Sequence, residues 1–190
     1  MGKKLVLALL VVLAVAGTAM AAEKPLQLSL FNPYQMVPES DSIKGVRLDL
    51  FYTVNTDMTG FSLSFLGVNR STGNVQGVEW GLGNWAEGDM YGWQGGWVNY
   101  TAGRFVGLQS GLLNLTKGRS TGVDLGCVNY NEGSFKGVQF GFFNYSAEMH
   151  GLQLGLVNYT KNLDGVQIGL GNYNGNKDPL EIMIIVNWSF

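Results

Sequence analysis

The chain has 190 residues, 46% of them hydrophobic and only 14% charged, with a net charge of −2, 28 glycines and a single cysteine. With no basic run, a partner held by phosphate contacts is excluded, so nucleic acid is not expected. The abundance of aromatics excludes disorder, and a lone Cys127 excludes an internal disulfide.

Residues 1–21 have the form of a secretory signal peptide. Lys3 and Lys4 make a basic start, Leu5 to Ala16 an apolar run, and Ala19-Met20-Ala21 a small-residue cleavage site. The apolar run, roughly 12 residues, is too short to span a bilayer, and no cysteine follows the cleavage site to carry a lipid anchor. The exported chain is expected to be residues 22–190, one β-repeat domain with a net charge of about −4. Its expected location is the cell surface, outer membrane or periplasm of a Gram-negative-type bacterium.

Residues 26–35 alternate apolar and polar and predict a half-buried strand. Residues 36–44, with Pro38, predict a loop. A repeated phrase then starts at Gly45, Gly60, Gly77, Gly92, Gly107, Gly122, Gly137, Gly151 and Gly165, at intervals of 15, 17, 15, 15, 15, 15, 14 and 14 residues. The first copies are irregular, so 26–76 reads as degenerate N-terminal repeats forming a cap. Residues 77–173 read as regular repeats and 181–190 as a C-terminal capping strand.

Counting the leading glycine as position zero, apolar side chains fall at positions one, three and five, as in Val78, Trp80 and Leu82. Position two is Gln, Glu or Asp. This period of two predicts a strand with one buried and one wet face. The odd face is the expected core, including Val123, Leu125, Val138, Phe140, Phe142, Leu152, Leu154, Leu156, Val166, Ile168 and Leu170, with Cys127 as a small core residue. Position two then lies in water, and Gln139→Lys is expected to be nearly neutral. Asn84, Asn99, Asn114, Asn129, Asn144, Asn158 and Asn172 hold position seven and predict a structural corner ladder. Gly88, Gly103, Gly118 and Gly133 mark a second corner.

Two all-β architectures fit. One is a parallel β-solenoid or β-roll with one coil per 14–15 residues. The other is an antiparallel meander closing into an outer-membrane barrel. A barrel needs a steady stagger of register, which near-identical strands and loops cancel, whereas a solenoid keeps each Asn at the same corner, where stacked amides bond one another. The ending Ile182, Ile184, Val186, Trp188 and Phe190 resembles a barrel's closing strand. The apolar band of the other strands, about 10 Å, falls short of the roughly 25 Å of a membrane barrel, so the solenoid is preferred and the last strand is expected to cap the stack with its apolar face.

The G-[VL]-Q-x-G-x-x-N-Y copies between Gly77 and Tyr173, the ending Ile185-Val186-Asn187-Trp188-Ser189-Phe190, and Leu28-Ser29-Leu30-Phe31-Asn32-Pro33 together resemble a bacterial surface-repeat family. The resemblance implies an exported protein and no particular activity. The period is also similar to that of the β-roll heads of trimeric autotransporter adhesins, without a heptad stalk.

No residues form a catalytic, cofactor or metal set. His150 has no His, Cys or paired-carboxylate companions and reads as a surface corner; Glu87, Asp89, Glu132, Glu148 and Asp164 read as solvated turns. Position eight carries Trp85, Tyr100, Leu115, Tyr130, Tyr145, Tyr159 and Tyr173, which stacking would align into an aromatic column that either packs against the corner or stacks on sugars or a protein partner. The expected function is therefore an exported, non-enzymatic scaffold presenting a regular β face. An outer-membrane barrel and a polysaccharide-binding β-helix are the alternatives. A cell-envelope protein, a polysaccharide or a membrane would be its partner, and no cofactor is expected.

Overall fold

Each glycine-led copy winds once around a common axis and lies on the copy before it. A computed structural model describes residues 23–177 and 179–190; the predicted signal peptide lies outside them. The chain is a β-solenoid of about 10 coils. Within a coil one segment runs through positions −2 to three, as in Met90–Gly95, and a second through six to nine, as in Val98–Thr101. Both pair in parallel with the same positions of the next coil, Met90 with Phe105 and Asn99 with Asn114. Later coils bend without a break, giving strands as long as Ser120–Phe140. Parallel in-register pairing rules out the antiparallel barrel.

The leading glycines hold the register. Gly137 has φ of +139°, and a Cβ there would lie 2.0 Å from the carbonyl oxygen of Gly122 in the coil beneath, so only glycine fits between stacked coils.

The expected core is reversed. Phe140, Phe142 and Leu170 are 57%, 63% and 69% exposed; Leu125, Leu156 and Ile168 are also exposed, while Val123, Val138, Leu152, Leu154 and Val166 are half-buried. Cys127 is half-buried on this same outer face. Position two is inside: Gln94, Gln109, Gln139, Gln153 and Gln167 are fully buried. A period of two separates two faces without saying which is inner. Here the narrow interior selects side chains that bond their own copies one coil away, whereas Phe or Trp at every coil is accommodated only outside. The apolar part of the core comes instead from position −2. Ile43, Met58, Val75, Met90 and Phe105 form one buried cluster, and Phe135, Met149 and Leu163 a second. Ser120 occupies the same position between them and divides the column.

The ends differ. Lys24–Phe31 pairs in parallel with Ile43–Asn55, and Val37 from the following loop covers the apolar column. The Gln27 side chain accepts from the Val37 amide at 2.8 Å and donates to its carbonyl at 3.0 Å. At the other end Ile182–Ser189 pairs antiparallel with Val157–Asn174. It covers the stack with its backbone, not its apolar face: Ile182, Ile184, Trp188 and Phe190 all point outward into exposure. Among the described residues no helix is long and apolar enough to cross a membrane.

Candidate functional site

Inside the coils, position two builds a polar row. Gln94 donates to Glu79 at 3.0 Å, Gln109 to Gln94 at 2.9 Å, Gln153 to Gln139 and Gln167 to Gln153 at 2.8 Å. Opposite it, Asn84 donates to Asn99, Asn99 to Asn114, Asn114 to Asn129, Asn129 to Asn144, Asn144 to Asn158 and Asn158 to Asn172, each at 2.8 Å. The second amide proton of Asn129 goes to the Phe140 carbonyl at 2.9 Å. These asparagines are buried and touch no solvent; they hold the coils together.

Two places in the interior depart from this pattern. Near the first coils Arg47 reaches past the small Ser62 to Glu79, with 2.7 Å to the Ser62 hydroxyl and 2.8 Å to the Glu79 carboxylate, all fully buried. Burial pushes the Glu79 carboxyl up and the Arg47 guanidinium down, and their mutual attraction opposes both shifts. Burial also raises the Asp49 carboxyl to about 6, against the opposing pull of Ser64 at 2.6 Å and Arg47.

In the coil of residues 120–133 three inward positions are altered, while Asn129 keeps its place in the asparagine row. Ser120 replaces an apolar residue, Asp124 replaces Gln, and Asn131 stands where neighbours carry Thr116 and Ser146. Asn131 donates to Ser120 at 2.6 Å. One oxygen each of Asp124 and Asn131 is buried with no hydrogen-bond partner among the described residues. Burial pushes the Asp124 carboxyl up to about 7, against the pull of the Gln139 amide. No solvent reaches these groups, so they are not placed to act on a substrate.

The column at position eight lies on the outer wall. Trp85 stacks on Tyr100 at 4.1 Å, and Tyr130, Tyr145, Tyr159 and Tyr173 stack in succession at 4.6, 5.4 and 4.4 Å. Leu115 separates the two stacks, and Lys117 lies over the Tyr100 ring. Each inner ring has its faces covered by its neighbours, leaving edges rather than faces to solvent. His150 sits at a surface corner 3.0 Å from Asp164. Asp89 accepts from the Arg104 backbone amide at 2.7 Å, and Glu87 pairs with Arg70; these acids serve turns. Among the described residues no three His, Cys, Asp or Glu approach closely enough to hold a metal ion.

The feature that stands out is the edge formed by positions three to six. It runs the length of the stack through Phe65, Trp97, Leu112, Phe142, Leu156 and Leu170, all exposed, and continues into Ile184 and Ile185 of the last strand. Ile185, with φ of 74°, borders a register shift in which Leu170 and Gly171 oppose Ile184, and both isoleucines are exposed. Across these positions the one charged residue, Asp49, is buried at 2% exposure. Most exposed Lys, Arg and acidic side chains gather on the opposite corner, among them Asp57, Asp89, Arg104, Lys117, Arg119 and Lys161, while Arg70 stands on the aromatic wall in register with Trp85. Hollows open along the edge: one of about 410 Å³ between Leu30, Leu48, Leu50 and Phe65, one of about 420 Å³ between Phe65, Trp80 and Trp97, and one of about 600 Å³ lined by Phe140, Phe142, Leu156, Ile168, Leu170 and Ile185. The spacing of Leu and Phe at positions three and five gave the signal for this edge in the sequence, read there as the core.

The chain matches no protein-family model, no curated protein and no solved structure.

Proposed function

We propose that the protein is an exported, non-enzymatic scaffold of the bacterial cell envelope, of the surface-repeat type, and that the apolar edge is the face it presents to a partner. The observation that carries this is the edge itself: an uncharged apolar strip along all the coils, with most exposed charges gathered on the opposite corner. A continuous apolar strip running the length of the stack is the kind of patch that marks an interaction surface. A non-enzymatic role agrees with the enclosure of the carboxyls of Asp49, Glu79 and Asp124, the ones raised by burial, within the coils. A glycan-stacking role is less favoured, because the tyrosine faces that a sugar would need are stacked on each other.

Fractionation of producing cells tests this reading. The expected result is a processed protein retained in the envelope, and release of the Phe142→Asp/Leu156→Asp/Leu170→Asp variant to the soluble fraction with its melting temperature intact. Unprocessed protein in the cytosol, or equal retention of that variant, would overturn it.

A further inference from the structure

We propose that the partner of the apolar edge is the acyl-chain region of a lipid surface, with the solenoid axis lying along the membrane plane and positions three to six sunk into the lipid. The proposal rests on the reading of this edge as the working face, and three observations lead from that face to lipid.

First, coil-to-coil backbone hydrogen bonds continue through the edge. Gly141 donates to the Leu154 carbonyl and Gly155 to that of Ile168, both at 3.0 Å; Leu112 donates to Trp97 at 2.9 Å and Leu156 to Phe142 at 3.0 Å. Hydrocarbon admits only backbone whose polar groups are bonded within the protein. This corner approaches that condition because each coil bonds the next, and unlike the opposite corner it carries no exposed charge.

Second, the strip carries no element that would select a protein. Protein interfaces surround an apolar centre with a polar rim and fix register with placed hydrogen bonds. From Phe65 to Leu170 the edge is built of Leu, Phe, Trp, Val, Ile and Gly, with Ser110 and Cys127 as the exceptions and no exposed charge. Nine coils at about 4.8 Å make a strip some 40 Å long, along which any register is equivalent. A fluid lipid surface has no register to match. Most exposed charges, of both signs, stand on the far corner, where they stay in water.

Third, depth and aromatic placement suit an interfacial position. Positions three to six make one shallow ridge, compatible with the ~5–10 Å insertion of interfacial elements and far from a full span. Trp97, 63% exposed, stands on the ridge, with Trp80 and Trp85 beside it, and tryptophan favours the level of the lipid headgroups. The hollow between Phe142, Leu156 and Leu170 faces outward, where an acyl chain can enter it.

The test is flotation of the purified exported protein with zwitterionic phosphatidylcholine vesicles, with and without brominated acyl chains. Binding is expected to be equal at low and high salt, with tryptophan fluorescence shifted to the blue and quenched by the brominated lipid. The Phe142→Asp/Leu156→Asp/Leu170→Asp variant is expected to partition at least about tenfold more weakly. Wild-type protein that stays free of vesicles would overturn the lipid proposal. If the variant still leaves the envelope fraction, the working-face reading survives that result. A stable dimer abolished by the same variant, with no vesicle binding, would assign the edge to a second copy and equally overturn the lipid proposal. Undiminished vesicle binding by the variant would place lipid contact elsewhere and overturn it too.

Discussion

The side-chain amide of Asn129 donates to Oδ1 of Asn144 at 2.8 Å, one coil towards the C-terminus. Across the interior the bonds point the other way: Gln153 donates to Gln139, one coil towards the N-terminus. The two rows are therefore opposed dipoles, and within a run the amides both give and receive until the last, Gln167, whose oxygen has no partner. A polar interior of this kind is stabilising as long as the chain of partners is unbroken, because low dielectric strengthens each bond and penalises each vacancy.

Substitutions on the two faces should behave oppositely. Gln139→Leu leaves the Gln153 amide without its acceptor and should cost about 1–3 kcal/mol. Gln139→Lys sets its charge beside the buried Asp124 carboxyl, and in an Asp124→Asn background, where that charge is unpaired, it should cost about 3–5 kcal/mol. Phe140→Ala, outside, should cost under about 1 kcal/mol. Urea unfolding of the three variants decides; a larger loss for Phe140→Ala than for Gln139→Leu would put the aromatic face inside.

Much of this architecture is legible in the sequence. The spacing of the leading glycines gives the coil length, and Asn84 through Asn172 at a fixed offset give the parallel stack. The inward direction is not given by hydrophobicity. It could have been read from variety: position three holds Trp80, Gly95, Ser110, Leu125 and Phe140, the freedom of an outer surface, while position two in the regular coils is confined to Gln, Glu and Asp. The apolar column from Ile43 to Leu163 escaped notice because it precedes each glycine by two residues, inside what reads as a linker.

Acidity should stabilise the fold. The Asp124 carboxyl stays protonated in the folded chain up to about pH 7, whereas in the unfolded chain it ionises near ~3.9. Between those values the unfolded state alone has released the proton, so stability falls as pH rises from about 4 to about 7 and then levels off. The loss from this group is roughly 4 kcal/mol, and Asp49, raised to about 6, adds to it in the same sense. Asp124→Asn should remove its part of the slope, raising stability at neutral pH and changing little at pH 4. Thermal melts across that range would show it; a wild-type curve rising with pH would refute the assignment.

The buried ion pair should be worth less than its separation suggests. Glu79→Gln matches the residue type of later coils but leaves Arg47 with only Asp49 as a counter-charge, at a cost of up to about 3–5 kcal/mol. Adding Arg47→Gln should recover part of that loss, since no buried charge is then left without its partner. A double variant no more stable than Glu79→Gln would show that the pair itself holds the first coils.

Whole coils should be removable. Deleting residues 137–150 sets Asn129 against Asn158 and preserves both rows, so cooperative folding should persist with a lower melting temperature. Deleting 120–134 instead sets Phe105 against Phe135 and Gln109 against Gln139, and takes out Ser120, Asp124 and Asn131 together. Its melting temperature should fall less than that of the first deletion, by calorimetry, because two unpartnered buried oxygens leave with the coil. The reverse order would mean that the altered coil is itself stabilising.

The antiparallel strand at the C-terminus governs what can be added to the stack. Every junction between coils is parallel and in register, so a blunt last coil would be a template for the first coil of another molecule, and the product would be a filament. Ile182–Ser189 withholds that template. Its hydrogen bonds follow antiparallel spacing, and it lays Asn187 over Gln167 where a further coil would need glutamine. At the far end Val37 occupies both bonding groups of the Gln27 amide. Growth is stopped at both ends, and the length of the rod is fixed by the number of glycine-led copies in the gene product rather than by protein concentration.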